Sequence, residues 1–283
     1  MIRSWYILAI INVVSISVGA LFQKLSMKKN ESDPVASSVI FQFLLGFITL
    51  VYAYLNGFRL PPVQLLPYFV TSGVLYALGT IAYFKAYKFI GASEVTVLGG
   101  AGVITTIIAS FLFLHDTLTL RQIIGVILII SAVIVVNITR KKFTVNAGTW
   151  LALLGTSAYG LAVVSDSYIV RQYHAISYLP LISFLPGIFI FLAFIRRARS
   201  ICREVMRVDR NLVIFILLYA VQAITFYAAL GVGALVSEIS IISRTAIILT
   251  VILAMIFLKE TKDVLRKILA AVLTTLGVLL VTT

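Results

Sequence analysis

Arg244 is the residue whose position most demands a chemical explanation. It lies ten residues past Ala234 and fourteen before Leu258, inside one long apolar run, which at 1.5 Å per residue puts it about 15 Å from one end and about 21 Å from the other. An ionised side chain at that depth of a hydrocarbon layer costs roughly 2.5–3.5 kcal/mol even on the mildest scale. Two uses offset that cost. Arg244 either locks helices together through a buried ion pair, or offers its planar five-donor fork to a carboxylate or phosphate on a ligand. Ser240 shares its helical face and extends a polar stripe toward the middle of the run. Asp166, near the end of the sixth run, and Glu238, near the start of the ninth, reach the same membrane side and are the acidic candidates for a pair. Glu238 is about 120° away around the same helix, so Asp166, coming from another helix, is the better placed of the two. A buried carboxylate can also carry a proton, which makes protons an available coupling ion.

Uncharged polar side chains recur at helical spacing in the same runs. Asn12 and Ser15 share a face of the first; Tyr76, Thr80 and Tyr83 of the third; Tyr159 and Asp166 of the sixth; Tyr219 and Gln222 of the eighth. Tyr227 closes the eighth, and Gly100 sits in a glycine patch with Gly99 and Gly102 in the fourth. Ser, Thr and Gly ordinarily serve close helix packing, whereas Tyr, Gln and Asn are costly to bury idle. The glycine patch either permits close packing or opens space for a bulky ligand. Runs 2, 5, 7 and 10 are nearly uniformly apolar, so lipid contact is expected of them.

Other chemistries find little support. Cys202 is the single cysteine, which leaves no internal disulfide and no thiolate cluster. His115 and His174 fall at opposite membrane surfaces, and no HExxH, GxSxG or GxxxxGK[ST] pattern occurs. No metal, no cofactor and no enzymatic activity are therefore expected.

The elements that must position these residues follow from composition. Of 283 residues 61% are apolar and 12% charged, more oil than one soluble core of that length needs. A bilayer takes about 20 apolar residues per helical crossing, and the expected spans are about 5–23, 35–54, 66–87, 92–114, 121–138, 148–170, 177–195, 211–229, 234–258 and 264–281. Arg3 before an apolar stretch could suggest a leader, but that stretch is long enough to be the first span. Pro180 and Pro186 inside the seventh predict a kink. The odd-numbered connections hold eighteen of the 23 basic residues and the even-numbered side four, Arg244 being the remaining one. Basic residues are retained in the cytoplasm, so a multi-pass protein of the cell membrane with both termini outside is expected; this placement in the connections accounts for the net charge of +13, and no nucleic-acid partner is expected. The connection from Arg196 to Arg210 reads as an interfacial amphipathic helix.

The ten spans are two sets of five. Sliding the chain by 144 positions lays Tyr83 on Tyr227, Ser93 and Glu94 on Ser237 and Glu238, and Asp116 and Thr117 on Glu260 and Thr261. Acidic residues are scarce here, so the acidic matches weigh more than the apolar ones. The repeats run 1–142 and 143–283. Five is odd, so the second copy enters the membrane from the opposite side. The expected fold is an all-α membrane protein of ten transmembrane helices, two inverted five-helix repeats around a central polar cavity. That construction gives equivalent outward and inward states about one site, which is the logic of a transporter of a small-molecule substrate. A lipid-carrier flippase and a non-transporting membrane scaffold are the other classes such a chain could serve.

Residues Ala82–Val136 and their second copy, Phe226–Leu280, resemble the drug/metabolite transporter superfamily and its EamA-like ten-helix exporters. The resemblance rests on Ala86 and Lys88 at the end of the third helix, Ala92 and Ser93 opening the fourth, then Asp116, Gln122 and Gly125 leading into the fifth, with Glu260 and Gly277 in the second copy. It implies secondary active export of a small polar metabolite, such as an amino acid or other carboxylate, with spans 1, 3, 4, 6, 8 and 9 lining the cavity. The chain departs from the family in lacking a mid-helix Pro in spans 4 and 9, and in a charge bias opposite to the usual cytoplasmic termini.

Overall fold

The computed structural model describes residues 4–28, 32–114, 119–139, 142–143, 145–206, 208–232, 234, 239 and 242–282. Lipid offers the backbone no hydrogen-bond partner, so apolar segments must satisfy their own amides, and they do so as helices. The first half comprises α1 (Ser4–Lys28), α2 (Pro34–Leu55), α3 (Leu66–Phe89), α4 (Ala92–Gly99), α5 (Gly102–Leu114) and α6 (Leu120–Asn137). The second comprises α7 (Ala147–Val170), α8 (Ala175–Ala193), the short α9 (Ala198–Met206), α10 (Arg210–Gly231), α11 (Ala246–Phe257) and α12 (Val264–Thr282). Among the described residues nine helical segments are long and apolar enough to cross a bilayer, α4 with α5 making one of them, and a shorter apolar helix runs Ile242–Phe257. The chain is a ten-helix membrane protein. A two-residue antiparallel pair, β1 (Ile138–Thr139) with β2 (Lys142–Phe143), lies in the connection between the halves.

Helix ends follow local chemistry. Asp33 caps α2, its side chain accepting from the Val35 amide at 2.9 Å, with Pro34 at the first helical position where no amide donor is needed. Asn146 caps α7 in the same manner, accepting from the Thr149 amide at 2.9 Å. The arginine-rich connection forms α9, anchored by buried Ile201 against α2 and by an Arg197–Asp33 ion pair of 2.8 Å. α8 continues unbroken through Pro180 and Pro186.

The fourth span departs from the continuous helix expected over 92–114. It breaks at Gly100 and Ala101, where bonds run three residues back, Gly100 N to Val97 O, Ala101 N to Leu98 O and Val103 N to Gly100 O. Gly102 lets α7 approach, a Cβ there standing 2.5 Å from Thr156 Oγ1, and Thr156 donates to the carbonyl of Gly99 at 2.7 Å. The ninth span turns at Thr245, whose amide likewise reaches three residues back to Ile242 O. Thr245 is the repeat equivalent of Ala101. Both halves are interrupted at one register.

Packing follows the same exchange. α3 lies along α7 and α10 along α1; α3 touches α8 and α10 touches α2; α4 and α5 meet α7 as α11 meets α1. The pairs α2–α8 and α6–α12 map onto themselves when the halves are swapped. At the α6–α12 crossing a Cβ on Gly125 would stand 2.6 Å from Gly277 O, and one on Gly277 2.7 Å from Gly125 O. Two backbones meet there with no side chain between them.

A second contact joins the halves at their basic face, besides the Arg197–Asp33 pair. The Glu260 carboxylate, on the connection after α11, accepts from the Ala92 amide at 2.7 Å, the Ser93 amide at 3.3 Å and the Ser93 hydroxyl, capping α4. Lys267 lies 3.3 Å from Glu260 and 3.6 Å from Glu94, so Glu94 pairs across the halves. Burial opposes ionisation of Glu260, but the Ser93 hydroxyl, Lys267 and the two amides outweigh it and hold the carboxyl below its usual range.

A carboxyl so depressed adds stability above its unfolded pKa of about 4.3, and loses it as pH falls through the folded value. Glu260→Gln is therefore expected to lower the thermal midpoint at pH 7, with the gap to the parent protein closing below about pH 4. Gly277→Leu, which forces a side chain between α6 and α12, should cost about 1–3 kcal/mol and depress the midpoint at every pH.

Candidate functional site

The polar stripes meet between the halves, where two cavities follow one another across the membrane. The larger has a volume of about 390 Å³. α1 and α3 lend it Asn12 and Tyr76, α7 lends Tyr159 and Asp166, and α10 lends Tyr219, Gln222 and Tyr227. Arg244, at the interruption in the ninth span, completes its wall. The smaller cavity, about 240 Å³, takes Ser15, Gly19 and Gln23 from α1 and Tyr83 and Tyr87 from α3. Those positions are one to three turns further along α1 and α3 than Asn12 and Tyr76, so the second cavity lies toward the face bearing Lys24 and Lys88. Ile16, Phe41, Tyr159, Tyr219 and Gln222 border both cavities and form a waist.

Asp166 is held by α3. Ser72 donates to one carboxylate oxygen at 2.7 Å and Tyr76 to the other at 2.6 Å. The expected Asp166–Arg244 ion pair does not form. The two groups line one cavity, but the hydroxyls of α3, which packs along α7, have claimed the carboxylate. Among the described residues the Arg244 guanidinium has no ion-pair partner, and its buried Nε has no hydrogen-bond acceptor. Among the described residues no carboxylate neutralises this cation, which borders a polar, aromatic-walled space at the level where the ninth span is interrupted.

Thr80 stands behind the wall, accepting from Gln42 Nε2 at 2.8 Å and sharing a 3.0 Å hydrogen bond with the Tyr159 hydroxyl. It orients two lining residues. Gly100 does not open the cavity. A Cβ there would collide with Thr274 on α12, so this glycine serves packing, and its neighbour Gly99 borders the smaller cavity. Glu238 and Ser240 lie outside the described residues.

The lipid-facing role expected of spans 2 and 7 is corrected. α2 gives the larger cavity Phe41, Gln42 and Thr49, and α8 gives it Tyr178 and Ser183. These helices pair across the pseudo-twofold axis, which brings one face of each inward. Gln42, a lone amide in an apolar run, was the signal available in the sequence. Spans 5 and 10 pair with each other, and neither cavity draws a lining residue from them.

Asn12 ties three segments at cavity depth, donating to Gln222 O at 2.8 Å and accepting from Ser243 Oγ at 2.7 Å. Its repeat equivalent is Thr156, and that of Ser243 is Gly99, so the Thr156–Gly99 bond repeats the contact at the break in the fourth span. Interhelical hydrogen bonds in membranes average about 0.6 kcal/mol and reach about 1.7. Asn12→Leu, which removes two, should cost about 1–3 kcal/mol, read as a drop in the thermal midpoint in detergent, and Thr156→Val about half as much.

Comparison with known proteins agrees with this architecture. The family model described as EamA-like transporter matches residues 3–138. An uncharacterized protein of Methanocaldococcus jannaschii is 33% identical over 135 residues, which make up 47% of this chain and 96% of that protein. A solved crystal structure with 14% sequence identity superposes with a TM-score of 0.63 over 98% of this chain and 96% of its own, a likeness of fold. The chain is a multi-pass membrane protein that belongs to the EamA-like transporter family, within the drug/metabolite transporter superfamily.

Proposed function

We propose that this protein is a secondary active transporter of a small polar metabolite bearing a carboxylate, an amino acid suiting the site best. The observation that carries the reading is the Arg244 guanidinium, without an ion-pair partner among the described residues, in the wall of a 390 Å³ cavity between the halves. Such a fork binds a carboxylate through two parallel hydrogen bonds. Asp166, across the same space, offers the opposite charge to an ammonium group, and Tyr76, Tyr159, Tyr219, Tyr227, Gln222 and Asn12 supply neutral polar and aromatic contacts. A volume of this order suits a small ligand.

Residues 1–142 and 143–283 act as two inverted repeats, and their rocking exposes the site to one face at a time. The charge bias supports termini outside and the smaller cavity toward the cytoplasm. Family resemblance supports export, and protons carried by Asp166 supply the drive.

Purified protein in liposomes should move radiolabelled amino acids. Lipid scrambling without solute flux would replace this reading with that of a flippase. Arg244→Gln should weaken binding by about 100-fold, the worth of a doubly hydrogen-bonded charge, with little change in thermal midpoint. Misfolding of that variant, with binding intact in whatever fraction folds, would return Arg244 to a structural role.

A further inference from the structure

The smaller cavity is walled on α4 by Thr96 and Gly99, and the first turn of that helix, nearer the basic face, meets Glu260. The helices that form its walls also carry the groups in that contact. α1 places Gln23 in the wall and Lys24 one residue on; Lys24 Nζ donates to Tyr87 O at 2.6 Å and Ile90 O at 2.7 Å, closing the end of α3. Tyr87 is itself a wall residue. α4 presents Ala92 and Ser93 to Glu260 in its first turn, and Thr96 and Gly99 to the cavity in the next two. A shift of the first turn of α4 therefore moves the cavity wall.

The contact is built to be specific and to cross between halves. Glu260 and Lys267 belong to the second half, Ala92, Ser93 and Glu94 to the first. Gly91 admits the carboxylate, since a Cβ there would stand 2.7 Å from Glu260 Cδ. Lys259 ends α11 in the left-handed region, φ 55°, and the Glu260 amide that follows closes on Ala254 O at 3.3 Å.

We infer that Glu260 is a positioning residue for the transport cycle: its contact with the first turn of α4, backed by Lys267, is the closed gate of the pathway on the basic face. Its release opens the smaller cavity to that face. The inference takes its purpose from the transport reading, but its test needs no substrate.

The only cysteine, exposed Cys202, is replaced by Ser and a reporter is placed in the smaller cavity as Gln23→Cys. A membrane-impermeant maleimide is then applied from each face of oriented vesicles. Gly91→Ala, which displaces the carboxylate while keeping every charge, and Glu260→Ala should each speed labelling from the basic face by about tenfold or more, as local opening predicts. Labelling of a Tyr227→Cys reporter from the opposite face should not rise. Ser93→Ala, which removes one hydroxyl and no charge, gives a smaller rise of the same sidedness and serves if the other variants do not fold. Unchanged labelling in folded variants, or an equal rise at both faces, overturns the gate. Absence of solute flux alongside the expected labelling would sink the transport reading and leave the gate standing.

Discussion

Hydrocarbon supplies no hydrogen bonds, and this one constraint organises the molecule. It forces the apolar runs into helices. It also restricts where a helix can be interrupted, because freed amides and carbonyls need partners from protein or from a polar cavity. Both interruptions, at Gly100–Ala101 and at Thr245, fall at the meeting of the halves, where α7 supplies Thr156 to Gly99 O and where Asn12 receives Ser243. The same constraint turns Asp166 toward Ser72 and Tyr76 and leaves Arg244 at the cavity wall.

The two halves have kept one architecture and divided its chemistry. Arg244 and Gly100 are equivalent positions of the repeat. One carries a guanidinium to the cavity; the other is bare backbone against Thr274. Asp166 aligns with Phe22, and Gln222 with Leu78. Symmetry therefore governs how the halves pack, while the charges gather on the second. A ligand in the larger cavity meets charge only from residues past the midpoint of the chain.

Most of the fold was legible because its signals are simple: apolar runs long enough to cross a bilayer, acidic matches at an offset of 144, and basic residues gathered mostly in alternate connections. Arg244 and Asp166 stood out because ionised groups are scarce in such runs. What sequence could not convey was orientation about each helix axis. Gly100 lay in a patch that suited a cavity and proved to face α12. Span 2 read as lipid-facing by composition, yet it pairs with α8 across the pseudo-axis and brings Gln42 inward. The partner of Glu94 was likewise hidden, because Lys267 is distant in sequence and arrives only through the fold.

The Gly125–Gly277 crossing has a mechanical consequence. Each glycine is a socket for the partner helix: Val281 Cγ2 would stand 2.7 Å from a Cβ on Gly125, and Ile129 Cγ1 2.7 Å from one on Gly277. Turning one helix against the other would mean withdrawing those side chains. The pair lines neither cavity, so it is placed to serve as a fixed support for the helices that do.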